Sequence, residues 1–244
     1  MMPCKTQAQP QWPVVILVHG SGPQDMDETL GPNKPFRDLA IALAQRGIAT
    51  VRYDKRTKVY AQRTVEVSKG ILNYDTDTVD DALQALRQAA RLPQIDTDRI
   101  YVLGHRMGGT LMPRIALRSE LKIAGLIGMA AAARPFDEML YDQVKYLSIH
   151  AGLSADSAAA RARSFVKQMT DVFPPEYKAM QKSYDPLQAV KKLKNKPMLF
   201  LQGTHDYQVT EADLELWRQA VSNNPHVQMV LLTGHAHLMR ALPA

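Results

Sequence analysis

The fold is decided by the seven residues Leu103-Gly104-His105-Arg106-Met107-Gly108-Gly109, which join an apolar run at 100–103 to a helical pattern over 107–118. Two of the glycines flank Arg106, as in the G-x-S-x-G turn that presents a catalytic serine between a strand and a helix. Glycines are needed there because strand and helix approach each other closely around a strained central residue. The pattern therefore predicts this turn, although an arginine stands where the nucleophile belongs.

Outward from this turn, short apolar runs alternate with helical patterns. The spacing predicts helices over the following ranges: 35–44, from Asp77 or Thr78 to Ala90, 107–118 and about 211–221. Strands are predicted at 14–18, 48–53, 100–103, 123–129, 198–202 and 227–232. Strands that alternate with helices make right-handed crossovers. We therefore expect an α/β fold with an open, mostly parallel sheet of about six strands and helices on both faces.

The stretch from residue 134 to 196 breaks this alternation. It is too long for an ordinary crossover and contains two or three helical patterns, one of them over about 155–172. Helices inserted at the carboxyl end of a parallel sheet commonly form a lid over the ligand crevice. We therefore predict a single domain, 1–244, with a helical cap at 134–196.

Two later loops carry residues that fit the same chemistry as the turn. Asp206 follows the strand predicted at 198–202, and His237 follows the next strand. The chain order of turn, aspartate and histidine is that of a hydrolytic triad on an open α/β sheet. We therefore predict Arg106 at the nucleophile position, with Asp206 and His237 as the other two members.

The loop after the first strand, His19-Gly20-Ser21-Gly22-Pro23, lies where such sites place a backbone donor for a developing oxyanion. We predict the N–H groups of Ser21 and Met107 as the two donors. The loop lacks the third glycine of a dinucleotide fingerprint and the Gly-Lys-Ser/Thr of a phosphate loop. The histidines near Asp206 lack a spacing diagnostic of zinc, so we expect no metal and no cofactor.

Composition limits the remaining function classes. The chain has 244 residues, 45% of them hydrophobic, which is enough for a core, and its single cysteine, Cys4, excludes a disulfide framework. The net charge is +6, but the basic residues are scattered apart from a cluster at 191–196 that we interpret as a solvated helix end. No apolar run reaches the roughly 18 residues of a membrane span, and the start lacks a signal-peptide core. We expect no nucleic-acid or membrane partner and a cytoplasmic location; a homo-oligomer is left open.

Several segments together resemble the α/β-hydrolase superfamily, in particular its bacterial esterases and acyl hydrolases of the dienelactone-hydrolase-like or serine-aminopeptidase-like kind. The segments are HGSGPQDMDETLGPNKPFRDLA (19–40), VRYDKRT (51–57), VLGHRMGG (102–109), LQGTHDYQV (201–209) and GHAHL (234–238). The resemblance extends from about Trp12 to His237. It implies a Ser–Asp–His triad containing Asp206 and His237, small carboxylic-ester or acyl substrates, and the sheet order 4-3-5-6-7-8 in the family's strand numbering.

The chain also departs from this family. The nucleophile serine is replaced by Arg106, and the family's N-terminal hairpin and closing helix are missing from the sequence. Without the closing helix, one sheet face should be less covered, so we expect lower stability or a partner that covers it.

Arginine at the nucleophile position leaves three functional hypotheses. A guanidinium is never a nucleophile at neutral pH, so the first is an esterase-type scaffold with impaired serine chemistry. The second is base chemistry by His237 and Asp206, with Arg106 anchoring an anionic substrate. The third is binding of an acidic small ligand under the lid without turnover. The side chain of Arg106 is expected to fill the pocket and could reach Asp206, and we interpret His105 as a packed residue of the turn.

Overall fold

The computed structural model describes residues 11–67 and 72–238. Within them, six strands form one sheet in the order β2-β1-β3-β4-β5-β6, with parallel pairing throughout. The strands are β1 (Trp12–Val18), β2 (Ala49–Val51), β3 (Ile95–His105), β4 (Gly125–Met129), β5 (Met198–Gly203) and β6 (Val227–Leu232). This order is the one that the family resemblance implies, and the predicted α/β fold is confirmed.

Ten α-helices connect or extend these strands in the described part of the chain. They are α1 (Pro35–Ala44), α2 (Arg56–Val59), α3 (Ala61–Val67), α4 (Asp80–Ala90), α5 (Met107–Arg118), α6 (Phe136–His150), α7 (Ala155–Asp171), α8 (Pro175–Ser183), α9 (Pro186–Lys191) and α10 (Glu211–Ala220). A π-helical turn, Asp75–Val79, precedes α4. None of the described helices has both the length and the apolar character needed to cross a bilayer.

The central strand β1 separates two apolar cores. Val14, Ile16 and Val18 pack into the larger core, which includes buried residues of α4, α5 and α10. Val15 and Leu17, which alternate with them, pack against Phe36 of α1 in the smaller core. Because successive side chains of a strand point to opposite faces, a continuously apolar run requires cover on both sides. The helices on both faces supply that cover.

Two predicted elements begin or end elsewhere. The second strand was expected over 48–53 but is only Ala49–Val51, since Arg52 leaves the sheet to pair with Asp27. The helix expected to begin at Asp77 or Thr78 begins at Asp80, after the π-helical turn.

Ion pairs with distant residues explain the second difference. Asp75 pairs with Arg114 of α5, and Asp77 with Lys55. Tertiary ion pairs, rather than a helix dipole, therefore fix these carboxylates.

The stretch 134–196 contains four helices, α6 to α9. The predicted helix over about 155–172 corresponds to α7, and its buried Ala158 and Ala162 lie in a helix that packs against α6. At the other end of the stretch, α9 returns to the body of the domain and packs against α5 and α10. The stretch therefore begins after β4 and rejoins the core before β5.

One ion pair below the site is fully buried. Nζ of Lys55, whose side chain is 1% exposed, lies 2.9 Å from Oδ2 of Asp77. Removing one member of such a pair leaves an uncompensated charge, which costs about 3–5 kcal/mol. We therefore expect Asp77→Asn to lower the free energy of unfolding by about that amount in a urea titration.

The matched control is Asp38→Asn, which breaks the exposed pair with Arg37. Exposed pairs contribute about 0–1 kcal/mol, so this variant should unfold close to the parent midpoint. Equal midpoints for the two variants would show that the buried pair has no special weight.

Candidate active site

The turn between β3 and α5 has the strained geometry that its glycines predict. Its central residue, Arg106, has φ 49° and ψ −112°, in the region of positive φ that side chains rarely adopt. A Cβ at Gly104 would lie 2.2 Å from the carbonyl oxygen of Gly108, and a Cβ at Gly108 would lie 2.3 Å from that of Val18. Glycine is therefore required at both positions, and residue 106 stands at the carboxyl edge of the sheet.

Asp206 and His237 meet although they lie on the loops after different strands. Nδ1 of His237 donates a hydrogen bond of 2.7 Å to Oδ2 of Asp206. The second carboxylate oxygen, Oδ1, accepts the backbone N–H groups of Gln208 and Val209 at 2.8 and 3.0 Å. Both members of the pair are buried. With Nδ1 engaged, Nε2 is the ring nitrogen that remains to exchange a proton with another group.

The surroundings of His237 favour its neutral form. Burial lowers its pKa below the ordinary value, while the hydrogen bond to Asp206 opposes this effect. The positive charges of His105 and Arg106 lower the pKa further. An imidazole that stays neutral at neutral pH can accept a proton.

The two predicted oxyanion donors lie on adjacent segments. Oγ of Ser21 donates to Sδ of Met107 at 3.6 Å. Met107 is the first residue of α5, so its N–H lies at a helix N-terminus, where the dipole favours negative charge. The peptide carrying the Ser21 N–H is held through its carbonyl, the Gly20 oxygen, which accepts from Nζ of Lys55 at 3.5 Å. The geometry therefore brings together both segments that could face an oxyanion.

The guanidinium of Arg106 points to the inserted helices. Its Nη2 donates to Oε1 of Gln143, on α6, at 3.2 Å, and Nε2 of Gln143 donates to the carbonyl oxygen of Gln208 at 3.1 Å. The guanidinium makes no hydrogen bond to Asp206, the contact that the sequence allowed. Nε of Arg106 is buried and has no hydrogen-bond partner among the described residues. Burial lowers the pKa of Arg106, and the charge of Asp206 partly offsets this.

Three contacts of the site could not be read from the sequence. Gln143 bridges the turn and the loop after Asp206, and Glu28 forms a buried ion pair with His105 at 2.8 Å. His105 is a packed residue of the turn, as interpreted, but it is also charge-paired. The one signal in the sequence was an acidic residue placed in a glycine-containing loop, since a carboxylate near a buried backbone needs a partner.

The histidines near Asp206 do not assemble a metal site. His205 is exposed and contacts Thr204, while Nδ1 of His235 contacts the carbonyl oxygen of Thr233. Within residues 11–67 and 72–238, no group of three or more His, Cys, Asp or Glu side chains is arranged to hold an ion. Asp206 and His237 therefore act on each other rather than on a shared metal.

Comparison with known proteins gives the same fold and a family. The family model described as serine aminopeptidase, S33, matches residues 12–240. Esterase EstD of Thermotoga maritima is 38% identical over 238 residues, an alignment that covers 93% of this chain and 55% of EstD. The chain thus spans about half the length of this curated relative.

Solved structures extend the comparison to distant proteins. A puromycin-hydrolyzing peptidase of Mycobacterium tuberculosis superposes with a TM-score of 0.63 at 16% identity, covering 95% of this chain and 31% of the peptidase. Est1E from Butyrivibrio proteoclasticus, with ferulic acid bound, superposes with a TM-score of 0.60 at 18% identity, covering 94% of this chain and 82% of Est1E. At such identities the likeness establishes the fold. Because the family model covers nearly the whole chain, the protein belongs to the serine aminopeptidase, S33, family of α/β-hydrolases.

Proposed function

We propose that the chain carries an esterase-type active site for small carboxylic esters or acyl compounds. In it, Asp206 and His237 form the acid–base pair, and Arg106 occupies the position of the nucleophile. The observation that carries the proposal is the buried 2.7 Å contact between Asp206 and His237, two residues brought together by different loops. The identity to an esterase supports the substrate class. We also propose that residues 134–196 act as the helical cap of a single domain.

A serine at position 106 would complete the reaction. Nε2 of His237 would take the hydroxyl proton as the oxygen attacks the ester carbonyl, and Asp206 would stabilise the imidazolium that forms. The N–H groups of Ser21 and Met107 would stabilise the oxyanion of the tetrahedral intermediate. His237 would then return the proton to the departing alcohol, and water would release the acid by the same route.

Arginine prevents this sequence in two ways. A guanidinium stays protonated in proteins and offers no lone pair for attack, so no acyl-enzyme can form. Its side chain also extends to Gln143 and occupies space above the turn. Hydrolysis by the chain as it stands is therefore expected at or near the level that the remaining site provides, roughly 10³–10⁴ over water in related triads lacking the nucleophile.

The first prediction is a gain of activity. Arg106→Ser supplies a hydroxyl at the strained position without changing the required glycines, so hydrolysis of p-nitrophenyl acetate or butyrate should rise strongly. In a related triad the serine contributes on the order of 10⁶ in turnover. We expect Arg106→Ser to exceed Arg106→Ala by at least about 10³-fold in kcat/KM.

Two controls accompany this measurement. Arg106→Ala empties the same space without a nucleophile, and Arg106→Ser combined with Asp206→Asn should fall back towards it because the imidazole loses its partner. If a folded Arg106→Ser variant hydrolyses these esters no faster than Arg106→Ala, the proposed function is wrong.

A second candidate, binding of an acidic small ligand without turnover, is favoured by the state of the arginine. Its guanidinium bonds to the neutral amide of Gln143, and its buried Nε has no partner among the described residues. A partly buried cation without an anionic hydrogen-bond partner is costly, and a carboxylate would satisfy it. The same anchoring arginine would serve base chemistry by His237 on a carboxylate-bearing substrate, which is the third hypothesis.

Thermal unfolding distinguishes these candidates. If the site binds carboxylates, acetate, butyrate or benzoate should raise Tm in a concentration-dependent way, by the equivalent of about 2.7 kcal/mol at 100 times Kd. The neutral amides of the same acids should not. Arg106→Gln should remove the effect, and the acid should be recovered unchanged.

Equal shifts from acids and amides would reject carboxylate binding. Under the base-chemistry hypothesis, the acid is instead consumed, and Arg106→Ser abolishes that consumption.

A further inference from the structure

The loop after β1 is connected to the turn and to the His237 loop through one carboxylate. Oε1 of Glu28 accepts the N–H of Gly20 at 2.6 Å, and Oε2 lies 2.8 Å from Nδ1 of His105. On the other side of its ring, Nε2 of His105 lies 3.4 Å from the carbonyl oxygen of His237. The side chains of Glu28 and His105 are only 5% and 4% exposed. Three segments that are distant in sequence therefore meet at this pair.

The partners of His105 define its protonation state. A carboxylate and a carbonyl oxygen are acceptors only, so each ring nitrogen of His105 needs a hydrogen to satisfy its contact. Only the imidazolium carries a hydrogen on both nitrogens. Glu28 also holds a backbone conformation with φ 52°, which a side chain adopts only when surrounding contacts compensate for the strain.

We propose that Glu28 and protonated His105 are positioning residues of the site. Glu28 holds the Gly20 peptide next to the Ser21 N–H, while His105 holds the backbone of His237, so one buried ion pair sets the distance between the oxyanion donors and the base. A group misplaced by about 1 Å can cost on the order of 10² in rate. The proposal rests on the proposed function in its kinetic consequences, but the ion pair itself is testable in the chain as it stands.

The charges around the pair agree with this assignment. Burial would lower the pKa of His105, but the charge and hydrogen bond of Glu28 outweigh it and raise the pKa above the ordinary value. Burial would raise the pKa of Glu28, yet His105 and the Gly20 N–H hold it lower. The other buried histidine facing Glu28, His19, has its pKa lowered to about 4 by burial. His105 is thus the imidazolium that faces this carboxylate.

The pair also acts on His237 through charge. The groups that face the His237 ring are Asp206, His105 and Arg106, and the ring centroids of His105 and His237 are 4.9 Å apart. A cation at 105 disfavours a second cation at 237 and keeps the base neutral. Removing that cation should raise the pKa of His237.

The first test is a nitrogen-15 NMR titration of the histidine side chains in the unmodified chain and in Glu28→Gln. In the unmodified chain, both ring nitrogens of His105 should show the protonated shift at pH 7. In Glu28→Gln, His105 should titrate at lower pH, and in His105→Gln the titration of His237 should move to higher pH. His226→Gln, on an exposed loop, is the control and should leave both titrations in place. A neutral His105 at pH 6 in the unmodified chain would overturn the proposal.

The second test uses Arg106→Ser as the parent. His105→Gln and Glu28→Gln in that background should each lower kcat for p-nitrophenyl acetate on the order of 10²-fold with little change in KM, since they displace the reacting groups rather than the binding surface. The acidic limb of the pH–rate profile should move to higher pH in the His105→Gln variant. An unchanged kcat together with an unchanged limb would reject the positioning role.

The two tests separate the two proposals. An inactive Arg106→Ser variant with the expected NMR titrations would reject the proposed function and leave the ion pair established. An active Arg106→Ser variant with a neutral His105 would do the reverse. Neither reading depends on the stability of a single substituted protein, because the decisive titration is made on the unmodified chain.

Discussion

The close approach of β1, β3 and α5 is the constraint on which the site depends. Backbone atoms come so near at Gly104 and Gly108 that no side chain fits, and the residue between them is held at positive φ. This strain is independent of which side chain occupies position 106, because it is imposed by the packing of the strand and the helix. The scaffold therefore presents arginine in the same way as it would present serine, and the surrounding groups remain arranged for acyl chemistry.

The sequence predicted those parts of the molecule that local patterns specify. Continuous apolar runs gave the strands, and α5 begins and ends where its spacing predicted, at Met107 and Arg118. The contacts of Glu28 and Gln143 could not be predicted, since they depend on loops separated by 77 and 37 residues from their partners. The π-helical turn was missed for the same reason: its aspartates answer to arginine and lysine side chains elsewhere in the chain.

Buried charge is concentrated around one loop. Gly20 is held at its N–H by Glu28 and at its carbonyl oxygen by Lys55, and each of these charged groups has its own buried counter-ion, His105 and Asp77. Such pairs are weak contributors to stability relative to apolar packing, because desolvation cancels much of the attraction. Here their effect is on geometry: they leave one peptide orientation in which every charge is satisfied.

The bridge formed by Gln143 makes the residue at position 106 and the first inserted helix interdependent. Its amide is oriented by the Gln208 carbonyl, so its oxygen is aimed at the guanidinium. Any short residue at 106 leaves that oxygen without its donor and detaches α6 from the turn. A reversion to serine would thus alter access to the crevice as well as its chemistry, and evolutionary changes at 106 and 143 are expected to occur in concert.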